Sequence, residues 1–280
     1  MLYRAIVDDG MYRPGLYNFE AKPYTWLLEH LKPVLSSLGP LACLVNIQDT
    51  AVFQNGKIYF VALTTPKGHA SIKHNASKLS LHKLRLIFAT KVRKRWMKTA
   101  VQQKKPFVDI GSKQALERPT TVAGGEPQTE FQYRDVALMK FKDDTWQVMN
   151  DALFMSTFLK WQNDKYWLNL NYVQTNVKAK IGIGKPFFVW FYANYDKTHP
   201  EVPIHYDPDI FGPDHQLTKE QYCLKTIYRV CEFIQKNHMY DIVRVWATFV
   251  EDDEGKMYLF ETKNLVVKEL PLLNEKKKKE

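Results

Sequence analysis

Between Asp49 and Asp109 the chain contains no aspartate and no glutamate. The same window carries thirteen lysines and arginines, while the rest of the 280 residues carries 27 against 30 acids. The whole net charge of +10 therefore arises in one stretch. An exposed helix ordinarily mixes signs, because oppositely charged residues four apart support it. A field of one sign is suited to steering an acidic partner.

Other absences narrow the possibilities. No run of 18 apolar residues occurs, so no membrane span is expected. The start, MLYRAIVDDGMYRPG, has acids at Asp8 and Asp9 and no long apolar segment, which disfavours a signal peptide. Cysteine is scarce. Cys43, Cys223 and Cys231 have no metal spacing, and the last two stand too far apart along a helix to pair. A reducing, cytoplasmic setting is the expectation.

Motifs for chemistry are also missing. None of the eight histidines sits in a nucleophile–base pattern. Gly182-Ile-Gly184-Lys185-Pro186 lacks the first glycine of a phosphate loop, and Pro186 replaces the hydroxyl that would hold magnesium. His205, Asp207, Asp209, Asp214 and His215 are possible metal ligands. Their spacing excludes an EF-hand, because Phe211 and Thr218 stand at ligand positions. A polar turn is the expectation there, and no catalytic residue, metal or cofactor is expected. The leaning is away from an enzyme.

What is present reads as globular, with 45% hydrophobic and 14% aromatic residues. Residues 1–25 read as an irregular arm. Leu27, Leu31, Val34, Leu35 and Leu38 have helical spacing over Trp26–Leu38, interrupted by Pro33. Leu41–Ile47 reads as a buried strand. Asn55-Gly56 predicts a tight hairpin between Ala51–Phe53 and Lys57–Leu63. Leu81, Leu84, Phe88, Val92 and Trp96 form one stripe of a predicted helix over 77–105, with Lys83, Lys94 and Lys98 opposite. The glycines and prolines of 111–130 mark a loop or linker.

In the second half, 131–142 and 145–149 read as strands and 151–158 as a helix. Residues 167–173 alternate as a strand should. Phe187–Tyr192 reads as a fully buried strand, with Trp190 in the core. Thr218-Lys-Glu-Gln221 is a capping box opening a helix. A hairpin of 242–250 and 256–261 follows. The expected organisation is an N-terminal region 1–110 with hairpin and basic helix, the linker 111–130, an aromatic-rich core domain 131–270 and a charged tail 271–280. The fold class is α+β, an antiparallel sheet built from hairpins with packed helices, including the long basic helix.

The basic helix supplies the candidate partner-binding residues Lys83, Arg85, Lys91, Arg93, Lys94, Arg95 and Lys98. Three partners fit its chemistry. One is an acidic protein surface such as the tails of tubulin. The second is nucleic acid, whose phosphates release counterions to Lys and Arg. The third is a calmodulin-like protein, which takes basic amphipathic helices with bulky anchors such as Phe88 and Trp96.

Two resemblances bear on function. Tyr172-Val-Gln-Thr-Asn-Val-Lys-Ala179, Phe187–Tyr192, and Phe249–Phe260 with Lys263 are together similar to a loose group of uncharacterised protist proteins of cilia and flagella. The resemblance covers 165–267 and implies an axonemal location and a structural role. It carries no catalytic residue. Glu261-Thr-Lys-Asn264 is similar to the Glu-x-Asn that ends a strand in ATP-grasp ligases, tubulin ligases included, and holds the magnesium of ATP there. The spacing here is one residue longer. The expectation is a non-enzymatic protein docking through its basic helix on an acidic surface, plausibly axonemal microtubules. A nucleic-acid-binding protein is the alternative, and an ATP-grasp-like ligase the third reading.

Overall fold

At Asn55 and Gly56 the backbone takes φ of 50° and 74°, the two left-handed residues that a tight hairpin requires. A computed structural model of the chain describes residues 19–37, 39–74, 83, 84, 86–88, 90, 135–160, 166–176, 186–192, 205–252 and 254–270. The linker expected at 111–130, the turn at 182–185 and the tail lie outside these residues.

In chain order the elements are β1 (Phe19–Lys22), α1 (Tyr24–His30), β2 (Val34–Ser36), β3 (Gly39–Leu41), β4 (Thr50–Gln54), β5 (Lys57–Thr64) and β6 (Ala70–His74). Then come β7 (Asp135–Phe141), β8 (Trp146–Asn150), α2 (Asp151–Lys160), α3 (Tyr166–Asn169), β9 (Leu170–Thr175) and β10 (Phe187–Tyr192). Two 3-10 turns, Pro208–Phe211 and Asp214–Gln216, precede α4 (Lys219–His238), β11 (Tyr240–Glu251) and β12 (Met257–Glu269). The fold is α+β, with antiparallel sheets built from hairpin strands and helices packed on them.

The chain forms two compact units. The first comprises Met1–Ile47, Leu63–Ile72 and Ala179–Glu280, and the second Gln48–Ala62 and Lys73–Lys178. The first unit holds a four-stranded antiparallel sheet in the order β1-β12-β11-β10. Helix α4 packs on β10 and β11. Its inward face is Ile227, Val230, Cys231 and Ile234, spaced as a helical stripe must be. Beneath it lie Val189 and Phe191 of β10 with Val243, Val245, Ala247 and Phe249 of β11. Tyr206 and Tyr228 close on Phe191, with ring centroids 5.8 and 5.4 Å away. The Tyr206 hydroxyl donates to the Ile242 carbonyl, which satisfies its buried polar atom. The capping box is present: the Thr218 hydroxyl accepts from the Gln221 backbone and the Gln221 side chain accepts from the Thr218 backbone.

The larger sheet runs β6-β5-β4-β9-β7-β8. In the second unit β9 is bracketed by β4 and β7, so Leu170, Tyr172 and Val173 are all buried. Its polar Gln174 is buried too, and donates to the Thr50 hydroxyl at 3.2 Å. Helix α2 packs on β7 and β8 and presents Phe154 to Phe88, with ring centroids 6.4 Å apart. Residues 83, 84, 86–88 and 90 are helical, as the stripe predicts, with Leu84 and Phe88 fully buried.

Four local expectations are corrected. The first helix ends at His30, because Pro33 disfavours helical geometry in the residue before it. The hairpin β2–β3 follows instead, and Leu35 is 87% exposed. Leu41–Ile47 is no strand: beyond β3 it makes only the isolated bridges Leu44–His69 and Ile47–Leu259. The alternation at 167–173 begins one turn early, since Tyr166–Asn169 is helical and Leu168 is exposed. The fourth correction, at β10, bears on function.

Candidate nucleic-acid interface

Six consecutive aromatic or apolar residues, Phe187–Tyr192, suggested a strand buried on both faces. In the structure β10 alternates. Val189 and Phe191 point into the core, whereas Phe188 is 56% exposed and Trp190 44% exposed. Trp190 is therefore not a core residue. The physical reason is the layer arrangement: α4 covers one face of an antiparallel sheet, and such a sheet leaves its other face to solvent.

Register builds the rest of the face. Antiparallel neighbours opposite one another point the same way. Trp190 stands opposite Trp246 of β11, which stands opposite Lys263 of β12. Phe188 stands opposite Thr248, and Thr248 opposite Glu261. Arg244 follows two residues from Trp246 along β11, on the same side. The Trp190 and Trp246 indoles stack at 4.4 Å between centroids and 22° between planes. The Phe188 ring lies 5.8 Å from that of Trp246. The Trp246 Nε1–H is buried and has no acceptor among the described residues. Lys263 is exposed, with its Nζ 3.8 Å from the Glu261 carboxylate. The result is an aromatic strip, two indoles and a phenyl, with Arg244 and Lys263 at its sides. Flat aromatic groups can stack on such a strip, and cations beside it can meet phosphates.

This face was missed because β10 by itself carries no alternating polarity. The signal was in β11, where Arg244, Trp246 and Thr248 alternate with Val243, Val245, Ala247 and Phe249. Of the seven residues expected to bind a partner, the structure describes Lys83, which is helical and exposed beside buried Leu84. Arg85, Lys91, Arg93, Lys94, Arg95 and Lys98 lie outside the described residues.

The remaining candidates fall elsewhere. Asp207 caps the first 3-10 turn by accepting from the Asp209 backbone at 2.9 Å. Asp214 accepts from both Arg229 terminal nitrogens and pairs with Lys225 at 3.0 Å. Burial pushes its carboxyl up, and Arg229 and Lys225 outweigh that and hold it below the usual range. Among the described residues no three His, Cys, Asp or Glu side chains gather. Glu261 and Asn264 lie within β12, not at its end, and Asn264 has φ 50° beside a bulge. Burial raises all three thiols, Cys223 to about 12, so they stay protonated and unreactive near neutral pH.

No helix among the described residues is long and apolar enough to cross a membrane. The sheets and their packing define an α+β protein whose first unit bears an open aromatic face. Beyond that class, no protein-family model, no curated protein and no solved structure matches the chain.

Proposed function

We propose that this chain is a non-enzymatic binding protein that holds single-stranded nucleic acid on the β10–β11–β12 face. The observation that carries the reading is the strip of exposed Phe188 and Trp190 packed on half-buried Trp246, beside Arg244 and Lys263. Small RNA-binding modules stack bases on sheet aromatics, and every base offers a π-face whatever its sequence. The net charge of +10 adds a long-range attraction, since positive charge draws phosphates and releases their counterions. An acidic protein tail also answers to positive charge, but its carboxylates gain nothing from a row of indoles. That difference favours nucleic acid over a microtubule surface. Location is part of the same proposal: a cytoplasmic protein, placed at the cilium if the resemblance over 165–267 holds, which imaging of the tagged protein tests.

The test is fluorescence anisotropy with a labelled single-stranded RNA and its duplex, alongside microtubule co-sedimentation. Single strands should bind more tightly than duplex and quench tryptophan fluorescence. Trp190→Ala should weaken binding by about 1–3 kcal/mol, the worth of a stacked base. Its fold should survive, because a half-exposed indole costs less than a core cavity. Unchanged RNA affinity in Trp190→Ala and Phe188→Ala, or sedimentation with microtubules without RNA binding, overturns the reading.

A further inference from the structure

Within the first unit, and apart from the aromatic face, a cavity of about 320 Å³ is lined by Leu44, Asn46, Pro66, Lys67, Gly68, Asp214, Tyr222 and Lys256. That volume is at the small end of ligand sites. Its walls are fixed by backbone. Leu44 bridges to His69, and the Asn46 carbonyl accepts from the Leu259 N–H at 2.8 Å. The Thr65–His69 turn closes on itself, with Gly68 N–H donating to the Thr65 carbonyl. On the other side, the Asp252 carboxylate accepts from the backbone of Glu254 and Lys256 and so pins the turn that presents Lys256.

Two features are unexplained by packing alone. The Asn46 side-chain oxygen is buried with no donor among the described residues, on a residue only 8% exposed. Such an orphan is costly, and native structures carry few. It borders the cavity beside Gly68, whose φ is +82°, and a Cβ there would sit 3.3 Å from it. A side chain at 68 would thus be strained and would crowd the oxygen. The second feature is charge. Lys67 and Lys256 line the cavity with no ion pair among the described residues, while the one carboxylate, Asp214, already serves Lys225 and Arg229. Lys256 instead lies over the Tyr258 ring at 5.3 Å.

We infer that this cavity binds a small phosphate monoester, its phosphate between Lys67 and Lys256 and a hydroxyl or amine of the same molecule donating to Asn46. Two lysine point charges match the roughly two negative charges of a phosphate monoester better than the single charge of a carboxylate. The Tyr222 hydroxyl stands in the lining as a further donor or acceptor.

The experiment is a thermal-shift titration of the full chain with ribose 5-phosphate, inorganic phosphate and ribose. A ligand that binds only the folded state raises the midpoint with concentration. Ribose 5-phosphate should raise it, inorganic phosphate should do so more weakly, and ribose not at all. Lys67→Glu and Lys256→Glu should each weaken binding about tenfold or more, the loss of a charged hydrogen bond. Lys67 is exposed and Lys256 half-buried, and neither has an ion pair among the described residues to lose, so these variants should melt close to the wild type without ligand. Asn46→Leu should erase the preference for the ester over inorganic phosphate. No shift with ribose 5-phosphate at millimolar levels overturns the site. So does an equal shift with ribose, or unchanged affinity in both lysine variants. A preference for the ester that survives Asn46→Leu overturns the role given to Asn46.

Discussion

At the scale of single residues, two histidines illustrate how burial sets behaviour. The His30 and His238 rings lie 5.0 Å apart between α1 and the end of α4, with Tyr240 and Trp26 around them. His30 Nδ1–H donates to the Trp26 carbonyl at 2.8 Å, and the His238 Nε2 is buried with no hydrogen-bond partner among the described residues. Burial is the main cause holding both below the ordinary imidazole value of 6.5, and for His238 the charge of His30 adds to it. Glu29 pulls His30 up and Lys22 pulls it down, but neither matches burial. The unfolded chain therefore binds protons before the folded chain does. Stability from this pair is fully present above about pH 6.5 and is lost as pH falls through the lowered folded values. The urea midpoint should drop from pH 7.5 to pH 5.5, ahead of carboxylate titration. His238→Gln should flatten that drop. A profile equally steep in the variant would assign it to other groups.

At the scale of elements, the helix most clearly written in the sequence is α4. Thr218 and Gln221 cap it reciprocally, and of the stripe Leu224, Ile227, Cys231 and Ile234 the last three are buried and Leu224 half-buried. Thr218→Ala should cost about 1 kcal/mol by freeing the Gln221 backbone donor, and Thr218→Asn much less. Denaturant midpoints check this, and equal midpoints for all three would mean that packing alone holds the first turn. The hairpin at Asn55-Gly56 was equally legible, because its signal is local: two residues that tolerate positive φ. Two of the four corrected expectations share a cause. Leu27 to Leu38 kept helical spacing by coincidence across Pro33, and Phe187–Tyr192 looked buried because hydrophobicity within one strand cannot report which faces are covered. That information lies in the partners, β11 and α4, and in register, neither of which a single segment contains. The candidate interface was thus half legible. Arg244 and Trp246 alternate with apolar neighbours within β11, while the aromatic strip forms only where Trp190 meets Trp246.

At the scale of the whole molecule, charge position and total charge make different predictions. Lys83, Lys94 and Lys98 share the side of the predicted helix opposite its apolar stripe, and Lys83 is exposed while Leu84 and Phe88 are buried. Reversing all three to glutamate takes the net charge from +10 to +4 without touching the stripe. A fair control makes the same change elsewhere on the surface. Lys219 and Lys225 cannot serve, since Lys219 pairs with Glu251 and buried Lys225 pairs with Asp214, so a glutamate at 225 would set two carboxylates together. Lys32 and Lys142 are exposed with no ion pair among the described residues, and Lys277 of the charged C-terminal run makes the third. If the acid-free window tracks a nucleic-acid backbone, the first triple variant should lose most of its affinity for single-stranded RNA. Its log–log salt dependence should become shallower by about 2, because each single-strand phosphate contact contributes about 0.7 to the slope. The control should keep most of its affinity and its slope. Each surface substitution is worth about 0.5 kcal/mol or less, so both proteins should fold. Equal losses in the two variants would reduce the effect to bulk charge. No loss in either would leave the window a solvated face, and the aromatic strip would then have to bind on stacking alone.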